Sequence, residues 1–172
     1  MSDLSIRHII RIVILILLQG LVFQRIEVAG HSFNYFSLLV YPVGLMLLPV
    51  KMSRLSLVLL GFVVGLAVDL FYSSLGVHAS ACVFMMFMRP YIMQVLEPRG
   101  GYSVNDTPTP SSFGLNWFIR YSAIMLGLFL IFYFSVEVFT FAMFGQILLK
   151  AVSSFLLSFL VVFSYIMLFN PK

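Results

Sequence analysis

Long apolar runs separated by short polar stretches dominate this chain. The runs are continuously apolar rather than alternating, which favours helices in contact with lipid or with each other over barrel strands. A helix that crosses the hydrocarbon core needs about 20 such residues. The pattern predicts an all-α integral membrane protein, a single transmembrane domain over residues 1–172. Its six transmembrane helices are expected at about 9–23, 35–50, 55–72, 78–96, 115–136 and 146–169.

Composition supports lipid as the solvent of this chain. Apolar residues make up 62% and charged residues 9%, whereas about a quarter of a soluble domain is charged. The net charge of +4 comes from few groups and does not indicate a nucleic-acid partner. The single cysteine, Cys82, excludes an internal disulfide and follows small residues, so we interpret it as a packing residue.

The first two runs each carry an ambiguity. Arg7 and Arg11 at the start of the first run also suit a cleaved signal peptide. Charged residues directly precede the one cleavage-like site, 28–30, so an uncleaved helix is favoured. The second run is shorter than a perpendicular span requires and contains Pro42 and Pro49, so we expect a helix kinked at Pro42 and covered by its neighbours.

The stretch 97–112 is the one long polar loop. Its Gly, Pro, Ser and Thr content predicts an irregular or mobile segment. Asn105 to Thr107 matches a glycosylation sequon, which we discount because the orientation below places the loop inside. Trp117 and Tyr121 just after the loop are expected to anchor the next helix at the membrane interface.

The basic residues predict the orientation. With six spans and both termini in the cytoplasm, seven basic residues fall inside and two outside, in agreement with the positive-inside rule. The inner seven are Arg7, Arg11, Lys51, Arg54, Arg99, Arg120 and Lys172, and the outer two are Arg25 and Lys150.

A stripe of small residues marks one face of the third run. Gly61, Gly65 and Asp69 stand four residues apart, so on a helix they share one face. Two glycines at that spacing let a neighbouring backbone approach closely. We therefore expect this face to pack against another helix and Asp69 to point at protein.

Asp69 permits two interpretations. In the structural one, its carboxylate bonds across the short turn to His78 or to the region of Ser73 and Ser74, and fixes the hairpin of the third and fourth spans. In the functional one, Asp69 and His78 line a ligand or proton site. An acid near a helix C-terminus opposes the macrodipole, so capping does not account for it. We favour the structural interpretation.

Arg89 lies within the fourth run, directly before Pro90. On a straight antiparallel pair, Asp69 and Arg89 differ in depth by about 10 Å, so a direct ion pair is not expected. We expect Arg89 to extend towards the inner interface or to bind carbonyls freed by Pro90, which should bend the helix.

No motif for metal or catalytic chemistry is recognisable. His8, His31 and His78 lack metal-ligand spacing,. Asp69, the nearby serines and His78 come close together, but nothing supplies an oxyanion hole or a nucleophile elbow. We therefore expect no cofactor and no enzymatic activity, with Glu137 most simply an interfacial acid.

Several sequence blocks resemble MreD, the bacterial rod shape-determining membrane protein, in the form found in Bacteroidetes-type bacteria. The first block is Gly61, three residues, Gly65-Leu66, two residues, Asp69, a Ser/Gly turn and His78-Ala79. The further matches are Arg89–Tyr91, Leu96–Tyr102, Pro108–Tyr121 and Val136–Phe139. The resemblance extends over nearly the whole chain.

The resemblance implies a function that spacing alone does not. It implies a non-enzymatic scaffold of the cell-elongation machinery in the bacterial inner membrane, with MreC as partner and, through it, MreB and peptidoglycan synthases. The family fold is similar to the substrate-binding subunit of energy-coupling-factor transporters. An alternative is therefore a small-molecule-binding subunit with Asp69 and His78 in an outward pocket. Such a site needs several convergent polar groups, and the outer half of the chain offers few beyond these two, Glu137 and Gln146.

Overall fold

The computed structural model describes residues 2–25, 37–74, 76–103, 106–138 and 144–169. Within these ranges the chain is helical, with turns and irregular segments and no β-strand. The helices are α1 (Ser2–Leu18), α2 (Pro42–Met46), α3 (Arg54–Tyr72), α4 (Val77–Val95), α5 (Pro110–Phe113), α6 (Leu115–Val138) and α7 (Phe144–Phe169). His31 and Asn105 lie outside the described residues.

Among the described residues, four helices are long and apolar enough to cross a membrane. They correspond to 6–23, 54–72, 115–137 and 147–168. The bounds of α3, α4, α6 and α7 agree with the predicted runs within two residues. The first helix starts earlier, at Ser2, and ends in a π-helical turn, Gln19–Phe23.

The prediction of a helix over about 35–50 is wrong. Residues 37–41 are not helical, α2 is only five residues long, and the chain after it is irregular up to Ser53. Pro42 is the first residue of α2 rather than a kink inside a long helix, a position where its missing N–H costs nothing. We call residues 37–50 the broken segment.

The broken segment lies in the core of the bundle. Its residues from Leu39 to Leu48 are almost completely buried. Extended residues advance the chain about 3.3 Å each, against 1.5 Å in a helix. Non-helical residues of this segment can therefore advance the chain further than the same number of helical residues would.

Contacts at the two ends of the bundle establish the helix directions. Gly20 touches Phe71 near the ends of α1 and α3, so these two helices run the same way. Tyr133, late in α6, lies against His78 at the start of α4, so α4 and α6 run in opposite directions. The end of the bundle that contains Gly20, Phe71, His78 and Tyr133 is called the His78 end. The opposite end, where the broken segment terminates, is called the Arg89 end.

The α3–α4 hairpin is closely packed along the glycine face. A Cβ atom on Gly65 would lie 2.7 Å from the Ala79 nitrogen and from the His78 carbonyl oxygen. A Cβ atom on Gly61 would lie 2.9 Å from Met86 Cγ and 3.0 Å from the Cys82 carbonyl oxygen. Both glycines therefore face α4, and at Gly65 the neighbour is backbone.

The loop at the Arg89 end is irregular but packed. The Tyr102 hydroxyl donates to the Met93 carbonyl at 2.8 Å, and the Trp117 indole N–H donates to the Leu96 carbonyl at 2.7 Å. The Val50 N–H donates to the Asp106 carbonyl at 2.9 Å. These bonds attach the loop to α4, to α6 and to the end of the broken segment.

Candidate functional site

The backbone of the broken segment depends on side chains from other elements. A helix satisfies its own peptide groups, but an irregular segment in an apolar bundle needs outside partners. The described partners come from α1, α4, α6 and α7. They form two polar clusters, one near each end of the bundle.

Gln19 supplies the partner at the His78 end. Its Nε2 donates to the Leu38 carbonyl at 2.9 Å and to the Tyr72 hydroxyl at 2.7 Å, and its Oε1 accepts the Val40 N–H at 2.9 Å. Gln19 is fully buried and opens the π-helical turn of α1. Single π-turns often occur at functional positions because they displace a side chain from the regular face.

Two serines of α7 bind the start of the broken segment. The Ser154 hydroxyl accepts the Ser37 N–H at 2.8 Å, and the Ser158 hydroxyl accepts the Leu39 N–H at 3.0 Å. Both hydroxyls are buried. The start of the segment is thus joined to α7.

Ser158→Ala is expected to destabilise the protein by about 1–3 kcal/mol, because it leaves the buried Leu39 N–H without an acceptor. Ser135→Ala on α6 is the control, since the Ser135 hydroxyl bonds only to a carbonyl of its own helix. Unfolding in mixed micelles, followed by circular dichroism, measures both. Equal stability of the two variants would contradict the role of Ser158.

Arg89 supplies the partner at the Arg89 end. Its guanidinium donates to the Leu48 carbonyl and, at 3.3 Å, to the Pro49 carbonyl, and its Nε donates to the Tyr121 hydroxyl at 3.1 Å. That hydroxyl in turn donates to the Met46 carbonyl at 2.9 Å. Arg89 is only 1% exposed, so this is a core interaction.

The expectation for Arg89 changes accordingly. Arg89 does not extend to the interface. It binds carbonyls, but those of the broken segment and not those freed by Pro90. The helix continues through Pro90 to Val95. As expected, Asp69 is not the partner of Arg89.

Asp69 caps the following helix. Its Oδ1 accepts the His78 N–H at 3.0 Å and the Ser74 hydroxyl at 2.5 Å, and its Oδ2 accepts the Ala79 N–H at 2.9 Å. These two amides belong to the first turn of α4, where helices lack internal acceptors and favour negative charge. Excluding a capping role was therefore wrong, because the relevant dipole is that of α4.

Asp69→Leu is expected to cost about 3 kcal/mol or more, since three donors lose their acceptor at about 1–3 kcal/mol each. Asp69→Asn keeps one acceptor oxygen and is expected to cost about 1–3 kcal/mol. Glu137→Gln, at an exposed acid of α6, is the control. Thermal unfolding of the purified variants measures the order, and an Asp69→Leu variant as stable as the wild type would contradict the cap.

His78 lies in a cage of aromatic rings. Its centroid is 4.8 Å from those of Tyr72 and Tyr133, and its Nδ1 lies 3.0 Å from the Tyr41 hydroxyl. That hydroxyl also accepts a bond from Cys82 Sγ at 3.5 Å. His78 is fully buried and its Nε2 has no hydrogen-bond partner. The Asp69–His78 contact therefore uses the backbone of His78, while its ring belongs to the core.

A groove between α6 and α7 is a cavity of different character. Its volume is about 280 Å³. Its lining is apolar apart from Ser135, whose hydroxyl bonds to the Ile131 carbonyl of its own helix. The groove therefore offers apolar contact and few polar groups for orienting a ligand.

Sequence reasoning missed several residues of the two clusters. Gln19, Ser154 and Ser158 interrupt long apolar runs, and such polar residues inside predicted spans usually face protein. That signal was present for all three. Tyr121 was expected at the membrane interface, but its ring is fully buried beside Arg89.

Among the residues that the structure describes, no group of three or more His, Cys, Asp or Glu side chains could hold a metal ion. Glu137 is exposed on α6, and the Gln146 side chain lies outside the described part. Comparison with protein families, curated proteins and solved structures finds no match.

Proposed function

We propose that the protein is a non-enzymatic membrane scaffold of the bacterial cell-elongation machinery, of the MreD type. It works in the inner membrane and supports rod shape and peptidoglycan synthesis through MreC. Through MreC it is connected to MreB and to the peptidoglycan synthases. One observation carries the scaffold role: most polar side chains inside the bundle bind the protein's own backbone.

The two polar clusters support this role over catalysis or transport. Gln19 and Arg89 bind the broken segment, and Asp69 binds the start of α4. Groups that act on a ligand need free donors or acceptors beside an accessible space. These three side chains use their polar atoms to hold one backbone arrangement, which suits a rigid surface for partner helices.

The surface available for contact with partner proteins is mainly apolar. Large apolar side chains on α1 and α7 are widely exposed, among them Ile9, Ile14, Leu21, Leu149, Leu156 and Leu160. In a membrane such faces contact acyl chains or other helices. Helix association there depends on close packing rather than on the hydrophobic effect.

The proposed topology has six crossings with both termini in the cytoplasm. Five are α1, α3, α4, α6 and α7, and the broken segment is the second in order. Its contacts begin at Gln19 near the His78 end and finish at Arg89, so it returns the chain between α1 and α3. The positive-inside rule then puts the Arg89 end at the cytoplasm.

The alternative is a small-molecule-binding subunit of an energy-coupling-factor-type transporter. The unpartnered His78 Nε2 is the observation in its favour. Such a site needs several convergent polar groups. Here three tyrosines surround the ring, and both Asp69 oxygens accept bonds from the protein itself.

Affinity purification from native membranes distinguishes the two functions. The tagged full chain is extracted in mild detergent, and a tagged multi-pass protein of similar size serves as control. Enrichment of MreC and cell-wall synthases over the control, without an ATPase pair, supports the scaffold. Enrichment of an energy-coupling ATPase module contradicts it and makes His78 the first residue to test for ligand binding.

A further inference from the structure

Three basic side chains gather at the Arg89 end of the bundle. His8 and Arg11 lie about one turn apart on α1, and Arg89 lies on α4. His8 is within electrostatic range of both arginines. The first helix thus carries two basic groups in the region of the buried guanidinium that holds the broken segment.

Two of these groups have polar atoms that the protein does not use. His8 is 5% exposed, and its Nδ1 has no hydrogen-bond partner. Arg11 is half-buried, and its Nη1 is enclosed without a partner. Buried donors normally have acceptors, and an unsatisfied one costs free energy. Arg89 differs because each of its three nitrogens already donates to a carbonyl or to Tyr121, so its main contribution is positive charge.

Negative charge is missing from this corner of the described structure. The acids whose side chains the structure describes are Asp69, Glu97, Asp106 and Glu137. None of them is among the groups that act electrostatically on His8, which are Arg11 and Arg89, or on Arg11, which is the Tyr165 hydroxyl. An enclosed guanidinium without a counter-charge is costly, and an anion bound beside Arg11 would relieve that cost.

We propose that His8 and Arg11 form a binding site for a phosphate group, and that Arg89 adds positive charge to the same region. Guanidinium groups bind phosphate through strong, directional hydrogen bonds. Arg11 stands five residues beyond Ile6, where the apolar part of α1 begins, about 7.5 Å along the helix. That depth suits the phosphate of an anionic phospholipid at the inner leaflet, and basic pockets between helices bind such headgroups.

Lipid retention by the purified full chain tests the site. The protein is equilibrated with equal amounts of phosphatidylglycerol and phosphatidylcholine, and the lipids kept after delipidation are counted by native mass spectrometry. The wild type is expected to retain phosphatidylglycerol preferentially. Arg11→Gln and His8→Phe are each expected to lower that preference about tenfold, as for the loss of one charge-assisted bond.

Arg7→Gln is the matched control, because Arg7 is exposed one residue from His8. It removes the same charge from the same helix and is expected to change the preference less than about twofold. Arg11→Lys keeps the charge and should retain part of the preference. Circular dichroism and gel filtration show that each variant is folded.

A second arm identifies the source of the phosphate. Inorganic phosphate is added to delipidated protein in detergent, with chloride at equal ionic strength as reference. If phosphate raises the unfolding temperature of the wild type and Arg11→Gln abolishes that effect, the site is supported. If the wild type also shows no lipid preference, the site is assigned to a soluble anion. Absence of both effects in the wild type overturns the site, as does an equal loss in Arg7→Gln. The scaffold role is tested separately by partner recovery, so either proposal can fail alone.

Discussion

Arg89→Met is expected to lower the free energy of unfolding by about 2–4 kcal/mol. The substitution leaves the Leu48 and Pro49 carbonyls without their donor, at about 1–3 kcal/mol each. Removing a buried cation also recovers part of its desolvation cost, so the net loss stays below the sum for all broken bonds. Methionine fills similar space, which separates the loss of hydrogen bonds from the creation of a cavity.

Two controls accompany the Arg89 variant. Arg89→Lys keeps the charge but replaces a planar group of five donors by a compact one, so an intermediate loss is expected. Arg120→Met removes an exposed arginine from the start of α6 and is expected to change stability by less than about 0.5 kcal/mol. Unfolding in mixed micelles measures all three. Wild-type stability of Arg89→Met would show that the broken segment does not need this residue.

Gly65→Ala is expected to cost about 2–3 kcal/mol, a large effect for one methyl group. The new Cβ would lie 2.7 Å from two backbone atoms of α4, and backbone cannot move aside as a flexible side chain does. The helices must separate, with the cost typical of an overpacked core. Because one contacted residue is Ala79, the same shift weakens its bond to Asp69 Oδ2.

The matched control is Gly127→Ala on α6. Its Cβ would meet the Phe155 ring at 3.9 Å, an ordinary contact, so stability should change by less than about 1 kcal/mol. The double variant Gly65→Ala with Asp69→Asn tests the link to the cap. Its loss should be smaller than the sum of the single losses, because both act on the same bonds. Full additivity, or equal losses for the two glycines, would contradict this account.

The apolar pattern alone was enough to predict, within two residues, where α3, α4, α6 and α7 begin and end. Continuous apolar content over about 20 residues is a strong signal, and α3, α4, α6 and α7 agree with it. The glycine spacing also predicted a packing face, and Gly61 and Gly65 do lie against α4. The apolar runs and the glycine spacing are each contained in one short stretch of sequence, so they can be recognised without knowledge of the tertiary structure.

The broken segment could not be predicted in the same way. Its apolar residues report burial but not how its peptide groups are bonded. Ser154 and Ser158 lie 117 and 119 residues after the residues whose N–H groups they bind, so no local pattern reveals these bonds. The two prolines gave a partial signal, since Pro42 begins α2 and Pro49 follows its end. A proline inside an apolar run equally suits a kink in a continuous helix, so the prolines alone do not show that the segment is broken.

The site residues were predicted unevenly for a related reason. Asp69 was expected to join the turn to the fourth span, and it bonds to Ser74 and to the His78 N–H. The cap is not evident from the sequence around Asp69, because the residue lies at the C-terminus of its own helix and binds the N-terminus of the next one. The acceptors of Arg89 come from a segment about forty residues earlier, so only the tertiary structure identifies them.

The broken segment also has a consequence for how the protein is made. A helix can enter the bilayer on its own, whereas a partly extended segment there needs partners for its N–H groups. Gln19 is synthesised before the segment, but Ser154 and Ser158 follow more than a hundred residues later, about 5–20 s at ordinary rates of translation. During that interval residues 37–41 must be helical or must stay in contact with water. The broken segment therefore reaches its final form only after α7 has been synthesised.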